Sequence, residues 1–222
     1  MIPFIVVAGG PGKRLGSTEP KQYLLIDGKP ILYHTVETLV KAGVKECILV
    51  LDPIYEEKAR GFLEPLRPSI EIEYAENGKT RQDSVKNGLD LLPKGTKWVA
   101  IHDGVRPFIS RKLVEQLLIE IEKGQCVIPV IPIKNTIKKV ENNRVVKTLD
   151  RDFLYGAGTP QIVDLDFYKK ALQKMNNYQM TDDASLIEAV GGKVVTVLND
   201  EENIKITTPF DLIIAEAILR RK

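Results

Sequence analysis

Short continuous apolar segments alternate along this chain with segments whose apolar residues recur at helical spacing. The continuous segments predict strands at 3–8, 46–51, 98–102 and 126–131. The periodic segments predict helices at 31–41, 81–92 and 112–122. Apolar strands between amphipathic helices are typical of a mostly parallel sheet covered on both faces. We therefore predict a Rossmann-like α/β fold whose ligands bind beyond the carboxyl ends of the strands.

One segment departs from this alternation. Two β-rich, highly charged stretches, at 135–141 and 144–149, flank Asn142-Asn143 and predict a β-hairpin. We expect an arm at about 134–155 that projects from a single domain spanning 1–222. A lone two-stranded ribbon is marginal in water, so we expect the arm to pack against another surface, such as a second subunit.

Composition narrows the class of partner. The 222 residues carry 32 basic and 30 acidic side chains, a net charge of +2, which gives no reason to expect nucleic acid or a membrane surface as partner. No apolar run is long enough to span a bilayer, and no secretory pattern precedes the first strand. Cys47 and Cys126 lie in apolar runs without metal or redox spacing, so we expect reduced core residues in a cytoplasmic protein. With only His34 and His102, a histidine-rich metal site is excluded.

The first strand runs directly into a glycine-rich, cationic loop. Its sequence is Gly9-Gly10-Pro11-Gly12-Lys13-Arg14-Leu15-Gly16, and Pro20-Lys21-Gln22 follows. Glycines leave backbone N–H groups open to an anion, and Lys13, Arg14 and Lys21 add positive charge. Such a loop is suited to hold a polyphosphate and to stabilise charge that develops on phosphorus.

The spacing of this loop excludes one familiar nucleotide site and weakens another. A P-loop requires Ser or Thr after Gly-Lys, and Arg14 stands there. A dinucleotide fold that starts at Gly10 requires its third small residue at position 15, which is Leu15. It also requires an acidic residue about 20 positions on, whereas the second strand ends near Asp52. A nicotinamide-dependent oxidoreductase and a non-catalytic nucleotide-binding module remain as alternatives.

Further polar groups fall where the predicted strands and helices end. Asp103 lies where a predicted buried strand ends. A carboxylate that faces a polyphosphate is a natural Mg²⁺ ligand. A structural aspartate in a turn, paired with Arg106, is the alternative explanation for this residue. Gly78 permits close backbone approach, and Ser84 offers a hydroxyl to a base or sugar. Arg151 and Lys205 lie at segment edges and are candidates for binding an anionic substrate.

Two other polar runs are typical of helix N-termini. Thr181 or Asp182 is placed to cap the helix that follows it, and Thr208-Pro209 to cap the last helix. For these runs a capping role competes with a role in the site.

Taken together, these motifs resemble the 2-C-methyl-D-erythritol 4-phosphate cytidylyltransferase family of the non-mevalonate isoprenoid pathway. The resemblance covers nearly the whole chain, from residue 3 to residue 219, and the elements that carry it occur in order. They are the glycine loop with Pro-Lys-Gln, Gly78 through Ser84, His102-Asp103-Gly-Val-Arg-Pro, Thr136, Arg151 with Thr159-Pro-Gln, Thr-Asp-Asp-Ala-Ser and Asn-Ile-Lys-Ile-Thr.

The resemblance implies a role for each matched position. Arg14 and Lys21 would stabilise the transition state at the α-phosphate of CTP. The nucleotide would be bound by Ala8, Gly9, Gly10, Gly12, Gly78, Ser84 and Asp103, with Asp103 also holding Mg²⁺. The sugar phosphate would be positioned by Thr136, Arg151, Thr159 and Lys205. The arm would interlock two subunits of a homodimer, so that Thr136 and Arg151 reach the partner's site.

Three departures from the family pattern bear on the acceptor. Gly104-Val105 stands where the family usually has Ala-Ala, Gly156-Ala157-Gly158 precedes Thr159, and Asn135 stands where aspartate is common. The pentitol-phosphate (ribitol 5-phosphate) cytidylyltransferases share the loop and the Asp-x-Val-Arg-Pro form. The Thr-Asp-Asp-Ala-Ser run favours methylerythritol phosphate as acceptor and leaves ribitol 5-phosphate as the alternative.

Overall fold

The computed structural model describes residues 2–10, 19–175 and 181–221. Twelve strands lie in this part of the chain: β1 (Phe4–Val7), β2 (Leu25–Ile26), β3 (Lys29–Pro30), β4 (Glu46–Leu51), β5 (Glu71–Glu76), β6 (Trp98–Asp103), β7 (Cys126–Pro132), β8 (Lys138–Glu141), β9 (Arg144–Thr148), β10 (Tyr155–Ala157), β11 (Gln161–Asp164) and β12 (Val194–Leu198). Its seven α-helices are α1 (Ile31–Lys41), α2 (Glu56–Leu63), α3 (Arg81–Asp90), α4 (Arg111–Glu120), α5 (Leu165–Lys174), α6 (Asp183–Ala189) and α7 (Pro209–Arg221).

Eight of these strands form one sheet. Strands β5, β4, β1 and β6 are parallel neighbours in that order, and β12 pairs in parallel with β7. Strand β11 is antiparallel and lies between β6 and β7, and β10 pairs with the far end of β7. The predicted mostly parallel sheet is therefore confirmed, with β10 and β11 as an antiparallel insertion that the sequence pattern did not predict.

Helices cover both faces of this sheet, as predicted. Along β1 the side chains alternate, so that Phe4 and Val6 pack into one core with α1, α2 and α4. Ile5 packs into a second core, against α3, α5 and α6. A smaller third cluster joins α7 to the segment after β6 through Val105, Ile206 and Ala215.

The predicted hairpin is present as β8 and β9. The two strands are antiparallel, with Glu141 opposite Arg144 and a register shift next to Val140. Asn142 and Asn143 have φ values of 47° and 61°, the left-handed conformation that a two-residue hairpin turn requires and that asparagine tolerates. Every residue of both strands is exposed.

The two cysteines are buried free thiols, as expected. Burial raises the pKa of Cys47 to about 12, so this thiol stays protonated. No helix in the described ranges is long and apolar enough to cross a membrane. The division of the chain into a single domain with an arm stays a prediction.

Candidate active site

A pocket of about 290 Å³ opens at the edge of the sheet where β1, β5 and β6 end. This is the edge at which open parallel sheets bind ligands. Backbone groups and small side chains line one side of it: Ala8, Gly9, Gly10, Asn77 and Gly78. Charged and polar side chains also contribute to the lining, among them Lys21, Gln22, Lys79, Arg81, Ser84, Asp103 and Lys205.

The backbone after β1 is held in place by two side-chain amides. The buried Gln22 donates through Nε2 to the carbonyl oxygens of Ala8 and Gly10, and Asn77 Nδ2 donates to that of Gly9 at 3.4 Å. A Cβ atom at Gly9 would lie 2.2 Å from Asn77 Cβ, so the close approach of these segments requires glycine. Gln22 thus connects the Pro-Lys-Gln motif to the glycines that follow β1.

The turn from Gly78 to Ser84 forms a further part of the pocket wall. Thr80 caps α3 in a capping box with Asp83, which fixes where the helix begins. Ser84 Oγ accepts from the Gly78 amide at 3.0 Å and donates to the Thr80 carbonyl at 3.0 Å. A Cβ at Gly78 would lie 2.2 Å from Asp83 Cβ. The Ser84 hydroxyl therefore shapes the turn, and the turn presents Lys79 and Arg81 to the pocket.

Asp103, the last residue of β6, is held between two cations. Its Oδ2 lies 3.1 Å from Arg106 Nε and 3.0 Å from Lys205 Nζ. Burial by itself would raise the pKa of Asp103, but Lys205, Arg106 and Arg81 outweigh it and hold the pKa well below its usual range. The carboxylate is therefore ionised at neutral pH. Both the expected site role and the expected pairing with Arg106 are compatible with this geometry.

Positive charge dominates the lining of the pocket. Lys21 Nζ donates to the carbonyl oxygen of Ile206 at 3.2 Å, next to Lys205. With Lys79 and Arg81, four cations of the described lining face a single carboxylate, Asp103. Such a pocket attracts a polyphosphate. The sequence analysis quoted Lys79 and Arg81 in a helix-opening turn without assigning them to the site, although cations beside Gly78 were a usable signal.

Thr159 lies beneath the pocket rather than in its lining. Strand β11 pairs Gln161 with Ile101 in antiparallel register, which carries Thr159 to the end of β6. There the buried Thr159 Oγ1 accepts from the Asp103 amide at 3.1 Å and contacts His102 Nδ1 at 3.0 Å. In the described structure, Thr159 thus supports the residue that carries the carboxylate.

Thr136 and Arg151 lie on the arm and not in the described lining of this pocket. Both are exposed, and Arg151 Nη1 donates to the carbonyl oxygen of Lys134 at 2.6 Å. This placement is what a contribution to a partner's site would require, and that contribution stays a prediction. Gly12 and Arg14, also assigned to the site by sequence, lie outside the described residues.

The donor set accommodates a single-carboxylate magnesium site. Both cations bonded to Asp103 use Oδ2, and within residues 2–10, 19–175 and 181–221 no hydrogen bond to Oδ1 is found. The same part of the chain contains no cluster of three or more His, Cys, Asp or Glu side chains that could hold a metal. Mg²⁺ commonly takes one or two carboxylates plus substrate phosphates, so Asp103 Oδ1 suits it only together with a bound phosphate.

A mostly parallel sheet with a cationic pocket at its carboxyl edge is suited to an α/β enzyme that acts on nucleotide phosphates. The family model of 2-C-methyl-D-erythritol 4-phosphate cytidylyltransferase (IspD) matches residues 2–221. The chain belongs to this family. The family resemblance and the enzyme class expected from the sequence are thereby confirmed, and the nicotinamide-dependent alternative is dropped.

Individual relatives agree with this assignment over nearly their whole length. A 2-C-methyl-D-erythritol 4-phosphate cytidylyltransferase of Alkaliphilus metalliredigens is 39% identical and covers 100% of this chain and 94% of its own. One of Bacillus mycoides is 40% identical, with 99% and 98% covered. The crystal structure of 4-diphosphocytidyl-2C-methyl-D-erythritol synthase from Anaerococcus prevotii superposes with a TM-score of 0.87 at 32% identity, covering 100% of this chain and 96% of that one.

Proposed function

We propose that this enzyme transfers CMP from CTP to 2-C-methyl-D-erythritol 4-phosphate and releases pyrophosphate. Family membership supports the reaction. The structural observation that carries it is that Lys21, Lys205 and Asp103 line one pocket with Gly9 and Gly10 at the carboxyl edge of the sheet. The two lysines and the ionised Asp103 give the pocket a net positive charge. Such a pocket suits the binding of the CTP triphosphate next to the phosphate of the acceptor.

The chemistry follows from the charges. A phosphate oxygen of the acceptor attacks the α-phosphorus of CTP in line, the new P–O bond forms, and the bond to the leaving pyrophosphate breaks. A phosphate is already a competent nucleophile, so no covalent enzyme intermediate is needed. The protein contributes position and neutralisation of charge on the equatorial oxygens. We propose that Lys21 and Arg14 stabilise the charge on the reacting α-phosphate. Lys205 is proposed to position the phosphate of the acceptor.

Magnesium is proposed as the cofactor, with Asp103 as its protein ligand. When bound, Mg²⁺ would neutralise triphosphate charge. Asp103 is kept ionised by Lys205 and Arg106, so it is available to a cation over the whole neutral range. Chelation with EDTA should abolish turnover, and added Mg²⁺ should restore it.

We further propose a homodimer formed through the arm. The arm exposes aliphatic side chains that a lone ribbon would leave in water, among them Val140, Val145 and Val146. In such a dimer Thr136 and Arg151 would bind the acceptor in the partner's site. A cytoplasmic location is part of the same proposal, in keeping with two buried free thiols.

The acceptor is the part of the proposal that most needs a direct comparison. Val105, which stands in the Asp-x-Val-Arg-Pro form shared with pentitol-phosphate enzymes, is buried and lines the pocket. The test is to incubate the enzyme with CTP, Mg²⁺ and either acceptor, and to follow the diphosphate product by phosphorus NMR. The proposal predicts a cytidine diphosphate-linked product from methylerythritol phosphate in clear preference to ribitol 5-phosphate. The reverse preference would assign the alternative function.

A further inference from the structure

A buried carboxylate behind the pocket is bonded through both of its oxygens. Asp183, the first residue of α6, is completely buried. Its Oδ2 accepts from Arg81 Nη2 at 2.6 Å, and its Oδ1 accepts from the hydroxyl of Tyr168 at 2.6 Å. The Tyr168 ring is itself fully buried in the core between α5 and the sheet. Asp183 is thus a fixed acceptor whose two partners come from α3 and α5.

Arg81 connects this buried group to the pocket. Its side chain is 30% exposed and belongs to the pocket lining, whereas its partner Asp183 is not exposed at all. Burial alone would lower the pKa of Arg81, but the adjacent Asp183 raises it above its ordinary value. The guanidinium is therefore a permanent positive charge, anchored on one side and facing the pocket on the other.

The position of Asp183 is in turn fixed by the neighbouring strand. Gln161, at the start of β11, donates through Nε2 to Asp182 Oδ2 at 2.8 Å and accepts through Oε1 from the Ala184 amide at 2.9 Å. Asp182 also caps α6 by accepting from the Ser185 amide. The Thr-Pro-Gln and Thr-Asp-Asp-Ala-Ser motifs are therefore one hydrogen-bonded unit that sets the start of α6.

We propose that Asp183 and Tyr168 are positioning residues that hold the Arg81 guanidinium in a binding geometry for the phosphates of CTP. This inference rests on the proposed function of the pocket. An arginine at the rim of an open pocket has many rotamers, and ordering it on binding costs affinity. A preformed ion pair with a rigid carboxylate removes that cost before the nucleotide arrives, and it leaves the other guanidinium N–H groups to donate to phosphate oxygens.

A purely structural tie between α3 and α6 is the competing explanation, and two variants separate it from positioning. Tyr168→Phe removes one hydrogen bond to Asp183 and keeps the ring, and Asp183→Asn removes the charge and keeps the shape. CTP affinity is measured by calorimetry in the full-length protein without acceptor, and KM and kcat are measured with both substrates. We expect CTP affinity to fall about 10-fold in Asp183→Asn and about 3-fold in Tyr168→Phe. The KM for CTP should rise in parallel, and kcat should change by less than about 3-fold.

The matched control is Tyr33→Phe, because the Tyr33 hydroxyl also has a hydrogen-bond partner, Lys29, and Tyr33 lies on α1, which contributes no residue to the described pocket lining. It should leave CTP affinity unchanged. The deciding measurement is made in an Arg81→Met background, where Tyr168→Phe should have no further effect on CTP affinity. If the same loss persists without Arg81, or if CTP affinity is unchanged in folded Tyr168→Phe protein, the inference is wrong. A wild type that binds CTP but does not transfer CMP would overturn the proposed function instead.

Discussion

The ammonium of Lys205 lies 3.0 Å from Oδ2 of Asp103, at the point where β6 ends and the segment before α7 returns to the pocket. Lys21 donates to the carbonyl oxygen of the next residue, Ile206. Two lysines from distant parts of the chain are thus brought into one pocket lining. Lys205, in the segment before α7, consequently belongs to the same pocket as Gly9 and Gly10.

Removal of the Lys21 charge should affect the chemical step. Lys21→Ala is expected to lower kcat by at least ~10²-fold, which is typical of losing one preorganised electrostatic group. Steady-state kinetics with saturating CTP and acceptor measure this. Lys41→Ala is the matched control, because it removes one surface lysine paired with Glu37 outside the pocket. Wild-type turnover in Lys21→Ala would contradict the assigned role.

The close packing at Gly9 should be intolerant of a methyl group. Gly9→Ala places a Cβ 2.2 Å from Asn77 Cβ, so the pocket wall must shift. We expect kcat/KM for CTP to fall by about 10²-fold, the cost of a misplacement of about 1 Å. Gly61→Ala is the control, since Gly61 is exposed on α2 and has open space around it. A kcat/KM for CTP in Gly9→Ala equal to that of Gly61→Ala would show that the wall does not bind the nucleotide.

His102 should make stability depend on pH. It is completely buried, and burial lowers its pKa to about 4. The charge of Asp103 partly opposes this shift, and the charge of Arg106 adds to it. The unfolded chain takes up this proton near pH 6.5 and the folded chain does not, so stability is lost as the pH falls from 6.5 towards 4. The expected loss between pH 7 and pH 5 is about 2 kcal/mol.

Urea unfolding of the wild type and of His102→Gln at both pH values measures this loss. Burial also lowers the pKa of His34, but His34 is common to both proteins, so its contribution cancels in the difference. The loss in the free energy of unfolding between pH 7 and pH 5 should be about 2 kcal/mol smaller in His102→Gln than in the wild type. An equal loss in both proteins would mean that His102 is not the titrating group.

The arm should control assembly. Val146→Asp introduces a charge on exposed β9, and we expect it to convert a dimer into monomers with loss of activity, because Thr136 and Arg151 would no longer reach a partner's site. Analytical ultracentrifugation with parallel assays tests this. Ile119→Asp, at an exposed apolar position of α4, is the control and should remain dimeric. A monomeric, fully active wild type would contradict the proposed homodimer.

The sequence pattern predicted most of the strands and helices around the pocket. Helix 31–41 and strand 46–51 coincide with α1 and β4, because their apolar residues are buried almost without interruption. Strand β5 was missed since it lies at the edge of the sheet, where charged residues alternate with apolar ones. Strand β11 was missed because only the pairing with β6 and β7 shows that 161–164 is extended.

The site was less predictable than the fold. Asp103, Lys21 and Lys205 could be assigned to the site from the sequence because each lies at a recognisable segment end. Arg81 was not assigned, because its significance depends on Asp183, which is distant in sequence and looks like part of a helix cap. Thr159 carried an expectation of substrate binding, yet its hydroxyl is used beneath Asp103, a contact that only the antiparallel insertion creates.

The most direct test of the central claim is the release of pyrophosphate with CTP, ATP, GTP or UTP, each with and without methylerythritol phosphate. A cytidylyltransferase of this specificity releases pyrophosphate with CTP only when the acceptor is present, and far more slowly with the other three nucleotides. Release that is independent of the acceptor, or equal with all four nucleotides, would contradict the account.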